Sequence, residues 1–189
     1  MNVQTFYFNP YRECTYVVNA YRKDAKNATC LIIDPGMYGE REEQRLWDYL
    51  EKEQLTPVAV LITHAHPDHI CGLEALLKRY PGLPVIDALH PQHNLADKGM
   101  QFTIIPTPGH KEDSVCFYFP EENTVFTGDT LFQESIGRTD LPGGDFATLM
   151  QSLKTLCQLP DYTKVYPGHA YPTTIGYEKD NNPYLSDIR

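Results

Sequence analysis

Seven side chains that can bind a metal ion occur at similar points of this sequence. Four fall within six residues of the segment THAHPDHICG: His64, His66, Asp68 and His69. Three more follow singly: His110, Asp129 and His169. Imidazole and carboxylate groups in this density suit zinc and are acceptable to iron or manganese. The pattern therefore predicts a metal centre.

Each of these groups follows an apolar run of strand length. PVAVLIT leads into His64, FTIIPTPG into His110, NTVFTG into Asp129 and KVYPG into His169. Loops at strand ends carry function because a rigid scaffold holds them while their side chains stay accessible. Four such strand ends in one short chain predict that the ligands converge at one sheet edge.

The spacing in the first cluster favours two ions. Alternate residues of an extended segment share a face, so His64, His66 and Asp68 can point the same way. A helix that begins near Asp68 redirects His69 and creates a second group of ligands beside the first. Two ions can share a water and lower its pKa, and a carboxylate such as Asp129 has two oxygens with which to bridge them.

Strand-like and helix-like segments are mixed along the chain. Strands are predicted for VQTFYF, CTYVVNAY, TCLIID, PVAVLIT, LPVIDA, QFTIIPT, SVCFYF, NTVFTG and TKVYPG, with a turn at Lys26-Asn27. Helical periodicity covers residues 40–54, 68–80 and 145–159, and a short helix is expected near the end. This mixture predicts sheets covered by helices.

Composition narrows the class of protein. A chain of 189 residues suits a single domain spanning residues 1–189, and the net charge of −9 argues against nucleic acid as a partner. Five scattered cysteines with no C-x-x-C pair indicate reduced, mostly buried thiols and a cytoplasmic location. With no signal-like start or membrane-length apolar run, we expect a small-molecule substrate and no membrane partner. The oligomeric state is not predicted.

The motif H-x-H-x-D-H at 64–69, followed in order by His110, Asp129 and His169, resembles the ligand series of the metallo-β-lactamase superfamily. Within it, the chain is similar to the glyoxalase II-like, or hydroxyacylglutathione hydrolase-like, branch. The resemblance covers nearly the whole chain, in the segments NPYRECTYVV, IDPG at 33–36, TPGH at 107–110, FTGDTLF at 126–132 and YPGHAYPTTIGYEKDNNPYL.

The resemblance implies an α/β (α+β) fold, a four-layer αβ/βα sandwich of two mixed β-sheets with helices on the outer faces. It implies two zinc ions, with iron or manganese as alternatives. Their implied ligand sets are His64, His66 and His110 for one ion, and Asp68, His69 and His169 for the other, with Asp129 bridging. A metal-bridging hydroxide would then attack a small thioester, with Asp68 and Asp129 in catalytic as well as ligand roles.

Two departures from the family pattern concern the substrate. The sequence ends before the C-terminal helical region with which glyoxalase II helps bind glutathione. After the bridging Asp, Arg138 matches the basic position, but Thr139 and Asp140 replace aromatics. Arg138 is therefore a candidate substrate-binding residue, with a surface pair to Asp140 as the alternative, and hydrolysis is better supported than glutathione as the carrier.

Other functions remain open at this stage. A mononuclear-iron sulfur dioxygenase acting on a persulfide would use His64, His110 and Asp129 as a two-His-one-carboxylate set. Lactonase, lactamase and phosphodiesterase reactions are further alternatives, and a metal-binding protein without turnover is less favoured. His90 and His93 are expected to face solvent, and Cys71 to be packed in the interior.

Overall fold

The protein is described by a computed structural model that covers residues 1–20, 28–91, 95, 100–186 and 188. The turn predicted at Lys26-Asn27 and the histidine at 93 lie outside these described residues. The chain divides into two compact units, Met1–Met100 and Gln101–Arg189. Each unit contains one five-stranded sheet.

The first unit carries a mixed sheet in the order β1-β2-β3-β4-β5. Its strands are β1 (Asn2–Phe8), β2 (Glu13–Asn19), β3 (Ala28–Ile33), β4 (Leu55–Leu61) and β5 (Val85–Ile86), and its helices are α1 (Glu40–Lys52), α2 (Pro67–Ile70) and α3 (Leu73–Arg79). β1, β2 and β3 pair antiparallel, whereas β3, β4 and β5 pair parallel. Leu46, Trp47 and Leu50 of α1 join Ile32 and Val60 in the hydrophobic core of this unit.

The second unit carries a mixed sheet in the order β12-β11-β8-β7-β6 and a separate hairpin of β9 and β10. Its elements are β6 (Thr103–Pro106), β7 (Val115–Phe119), β8 (Thr124–Gly128), β9 (Leu131–Phe132), β10 (Ser135–Ile136), α4 (Phe146–Leu156), β11 (Lys164–Pro167), β12 (Thr173–Thr174), α5 (Ile175–Asn181) and a 3-10 turn at Pro183–Leu185. β8 and β11 pair parallel, and the other neighbours pair antiparallel. Leu149, Leu153 and Leu156 of α4 pack with Val125 and Val165.

The predicted fold class, two mixed sheets accompanied by helices, is confirmed. The single domain over residues 1–189 stays a prediction. One helix differs from the sequence prediction, because the segment 68–80 forms α2 and α3 with a break at Gly72. A Cβ atom at Gly72 would lie 2.6 Å from Met37 Sδ, and the Gly72 N–H donates to Pro35 O at 2.8 Å. A larger residue at this position would therefore require Met37 or the Pro35 carbonyl to shift.

The remaining differences are small. LPVIDA contributes only the two residues of β5, and the β9–β10 hairpin and β12 were not predicted. Among the described residues, no helix is long and apolar enough to cross a membrane.

Candidate metal centre

The first unit holds four of the predicted ligands, two in the loop after β4 and two in α2. β4 ends at Leu61, and the chain stays buried through Ile62 and Thr63 before reaching His64. Pro67 starts α2 and so places Asp68 and His69 within its single turn. His64 and His69 are almost fully buried, at 2 % and 0 % exposure.

Asp34 fixes the ring of His69. This carboxylate lies just after β3 and is only 2 % exposed. Its Oδ2 lies 3.0 Å from His69 Nδ1. Because an ionised carboxylate only accepts hydrogen bonds, His69 carries its hydrogen on Nδ1, which leaves the lone pair on Nε2. That nitrogen lies 3.7 Å from Asp68 Oδ2.

The same carboxylate fixes His64 through Thr63. The Thr63 hydroxyl donates to Asp34 Oδ2 at 2.6 Å and its backbone N–H donates to Asp34 Oδ1 at 2.7 Å. Since its one hydrogen is used on Asp34, the hydroxyl accepts from His64 Nδ1 at 3.1 Å. His64 therefore also presents the lone pair of Nε2, which lies 3.0 Å from Nδ1 of His66.

Asp129 is the centre of the donor set in the second unit. It follows β8 directly and is largely buried. Its Oδ2 lies 3.5 Å from His110 Nε2 and 3.6 Å from His169 Nε2. One carboxylate oxygen is thus close to an imidazole nitrogen of each of the two histidines.

His110 is oriented by the loop that follows the β9–β10 hairpin. Its Nδ1 donates to the backbone carbonyl of Arg138 at 2.7 Å, so its Nε2 faces Asp129. Gly137 makes this approach possible. A Cβ atom there would lie 1.8 Å from Asp129 O and 3.1 Å from His110 Cγ.

Sequence reasoning missed Asp34 and its buried neighbour Glu13. Glu13, Asp34 and His69 each offer a ligand atom within 4.8 Å of the others. Glu13 is fully buried, and desolvation raises its pKa well above the ordinary value. Its Oε2 accepts from Thr15 Oγ1 at 2.8 Å, whereas its Oε1 has no hydrogen-bond partner among the described residues. Asp34 ends TCLIID, so the strand-end pattern that found the other groups contained a signal for it.

The other residues singled out from the sequence have simpler surroundings. Arg138 and Asp140 form a bidentate pair with both N···O distances at 2.8 Å, and this bond lowers the pKa of Asp140 to about 2. His90 is exposed, as predicted, and bonds to Asp87. Cys71 is exposed, so its predicted interior packing is wrong: the break before α3 leaves it at the surface, with its thiol directed to Gly36 O at 3.1 Å. The other four cysteines are buried thiols.

The donor chemistry fits metal binding. Metal-binding histidines usually donate their second ring N–H to a carboxylate or a carbonyl, which sets the tautomer that coordinates. His69 and His110 are held in this way, by Asp34 and by Arg138 O. His64 donates to the Thr63 hydroxyl, which donates in turn to Asp34. Within each unit the structure brings the predicted ligands together.

Comparison with known proteins establishes the family. The model of the metallo-beta-lactamase superfamily matches residues 15–99 and 82–169. The chain belongs to this superfamily. The predicted resemblance is thereby confirmed, and the protein is placed among metallo-hydrolases.

Individual relatives span nearly the full chain. It is 35% identical to the probable metallo-hydrolase YqgX of Bacillus subtilis over 83% of this chain and 87% of that protein. It is 37% identical to hydroxyacylglutathione hydrolase GloC of Haemophilus influenzae over 86% of this chain and 89% of that protein.

Solved structures show the same fold. BLEG-1 B3 metallo-beta-lactamase matches with a TM-score of 0.84 at 33% identity, covering 98% of this chain and 100% of the other. A di-iron-bound form of TTHA1623 gives 0.79 at 34% identity, covering 97% and 100%. ETHE1 from Myxococcus xanthus gives 0.84 at 30% identity, covering 99% and 85%.

Proposed function

We propose that this protein is a dinuclear metal hydrolase that cleaves a small thioester. The observation that carries the proposal is the fixed tautomer of His64, His69 and His110. Each ring directs its Nδ1–H at a protein acceptor, which makes Nε2 the ring nitrogen that can coordinate a metal ion.

The proposed ligand assignment follows the family series. His64, His66 and His110 would hold one ion, Asp68, His69 and His169 would hold the other, and Asp129 would be a ligand common to both. When bound, two such ions supply a water of lowered pKa and polarise the carbonyl of a substrate. Zinc suits the nitrogen-rich donor set, and iron is the alternative favoured by the di-iron form of TTHA1623.

The protein's own groups would orient the reactants and handle the proton. Asp129 Oδ2 lies near Nε2 of both His110 and His169, so these three groups would present their ligand atoms together. Asp68 retains 20 % side-chain exposure. We assign it the acceptance of the proton that the attacking water loses. Cleavage of the thioester then requires transfer of that proton to the departing sulfur, and an acid and a thiol are released.

The choice of a thioester is supported by the relative named hydroxyacylglutathione hydrolase GloC. The carrier is left open, because Thr139 and Asp140 stand where aromatics are expected from the family pattern. Arg138 is 61 % exposed in its side chain and is the proposed contact for an anionic part of the substrate. The proposed partner is a small molecule, and the proposed location, from the thiol content, is the cytoplasm.

The test combines metal content with turnover. Freshly purified protein should contain about two metal ions per chain, measured by elemental mass spectrometry, and should hydrolyse members of a thioester panel. His64→Ala and Asp129→Ala should each lose metal and turnover while keeping the folded circular-dichroism spectrum. His90→Ala is the matched control, since His90 is an exposed histidine whose hydrogen bonds, within the part of the chain that the structure describes, go to Asp87. Full turnover in either ligand variant would refute the site.

Two results would replace the thioesterase proposal with another chemistry. About one iron per chain, together with oxygen uptake on a persulfide, would establish the dioxygenase alternative. Hydrolysis of lactams or lactones in place of thioesters would keep the site and change the substrate class. BLEG-1, a B3 metallo-beta-lactamase by name, makes a lactam a necessary member of the panel.

A further inference from the structure

Asn9 links two loops of the first unit that lie far apart in sequence. It lies in the turn between β1 and β2, in a left-handed backbone conformation with φ of 50°. Its Nδ2 donates to Gly36 O at 3.0 Å and to Asp68 O at 2.9 Å. The second of these bonds joins Asn9 to the backbone of a proposed metal ligand 59 residues away.

The orientation of the Asn9 amide is fixed by its surroundings. Its Oδ1 accepts the backbone N–H of Tyr11 at 3.0 Å, while both carbonyl oxygens face Nδ2. A flipped amide would direct its oxygen at two carbonyl oxygens and its NH2 group at an N–H. Both amide hydrogens therefore have acceptors, and only an amide satisfies all three contacts.

The turn that carries Asn9 is itself anchored to α1. The Asn9 backbone N–H donates to Glu42 Oε2 at 2.8 Å, and the Tyr38 N–H donates to the same oxygen at 2.8 Å. Glu42 lies in the first turn of α1. The carbonyl of Asp68 is thus held by a side chain whose own backbone is tied to the longest helix of the unit.

Asp68 lies in α2, which is a single helical turn of four residues. At the start of this turn the His69 N–H donates to His66 O at 3.0 Å. Gly36 packs so closely that a Cβ atom there would lie 2.4 Å from Asp68 O. A shift of the 34–37 loop would therefore displace the Asp68 backbone. Asn9 bonds to both segments, through Gly36 O and Asp68 O.

We propose that Asn9 is a positioning residue for Asp68, which sets the affinity of the ion that Asp68 binds. The inference rests on the proposed function in taking Asp68 as a ligand. Outer partners of metal ligands typically contribute about 10- to 100-fold in metal affinity. Asn9 is expected to act in this range, selectively on one of the two ions.

Asn9→Asp is the sharpest test, because it keeps the shape and replaces the donating NH2 by an oxygen facing two carbonyls. Asn123→Asp is the matched control: Asn123 lies in a turn with φ of 48°. Zinc affinity is measured by chelator competition on metal-free protein, equivalent by equivalent. Asn9→Asp should weaken one equivalent by about 10- to 100-fold and leave the other within about threefold. Asn123→Asp should change neither.

Further variants separate the outcomes. If Asn9→Asp does not fold, Asn9→Gly removes the amide while suiting the left-handed backbone. Wild-type affinity for both equivalents in the folded Asn9 variant, or equal weakening of both, overturns the proposal. A lower melting temperature of the metal-free protein without a change in affinity also overturns it, since it shows a purely structural role. Asp68→Ala is measured in parallel: if it binds both equivalents as wild type does, the ligand assignment of the proposed function fails as well.

Discussion

Substitution of Gly137 by alanine adds only one methyl group, yet it should lower activity strongly. In Gly137→Ala the added Cβ atom would start 1.8 Å from Asp129 O and 3.1 Å from His110 Cγ. Real Cβ atoms essentially never approach other atoms closer than 3.0 Å, so the Asp129 backbone, the loop at residue 137 or both must move apart by about 1.2 Å, the difference between 3.0 and 1.8. The carbonyl is backbone and cannot swing aside as a flexible side chain can.

A displacement of about 1 Å in a catalytic group can lower turnover by about 100-fold. At about 1.4 kcal/mol for each factor of ten, this corresponds to a loss of about 2.7 kcal/mol of transition-state stabilisation. We therefore expect kcat/KM of Gly137→Ala on the best thioester substrate to fall about 100-fold, with metal content measured on the same sample.

Gly82→Ala provides the control. Gly82 has φ of 80°, and a Cβ atom there meets nothing within 4 Å. Its alanine variant should lose about 1 to 2 kcal/mol of stability through backbone strain and keep its activity. Turnover within threefold of wild type in folded Gly137→Ala would refute the reasoning, because the contact with the Asp129 backbone would then be irrelevant to the site.

Three further predictions concern groups around the site. Asp34→Asn should lower zinc affinity by about 10- to 100-fold, because it weakens the acceptor that fixes the ring of His69. Chelator competition measures this affinity. An unchanged affinity would contradict the inference that Asp34 sets the tautomer of His69. Burial raises the pKa of Glu13, so the folded metal-free protein holds this proton more tightly than the unfolded chain does. This contribution to the free energy of unfolding is present at low pH and is lost as the pH rises above about the ordinary value of 4.5. In urea titrations, Glu13→Gln should therefore lose less stability than wild type between pH 4.5 and 7. If the stability of the two proteins falls in parallel over this range, Glu13 does not cause the pH dependence. Arg138→Ala should raise KM for anionic thioesters with kcat nearly unchanged, and equal KM values in steady-state kinetics would remove Arg138 from the substrate site.

The ends of the strands were the features most easily predicted from this sequence. His110, Asp129 and His169 each follow a strand as predicted, because an apolar run that stops at Gly or Pro marks both the strand and its exit. Short pairings were harder to predict. Four strands have only two residues each, which is too few to show alternation of apolar and polar residues: β5, β9, β10 and β12. Whether such short strands form depends on the segments that pair with them.

Apart from Asp34, the groups that support the ligands left almost no trace in the sequence. Asn9 and Gly137 are ordinary turn residues by type. Their importance comes from contacts across long separations, such as the 59 residues between Asn9 and Asp68. Cys71 shows a different error: a free cysteine is usually buried, and residues 68–80 are predicted as one helix. In the structure Cys71 is exposed in the break between α2 and α3, which local periodicity does not indicate.

The difference between ligands and their supports has a physical cause. A ligand must be an imidazole or a carboxylate, so residue type alone restricts the candidates. A support needs only an acceptor or a donor at the right distance. In this chain a carboxylate serves His69, a hydroxyl serves His64 and a backbone carbonyl serves His110. Because the backbone carbonyl belongs to Arg138, that residue orients a proposed ligand whatever its side chain does. Replacing the Arg138 side chain therefore tests substrate binding alone, whereas substitution at Gly137 tests the support.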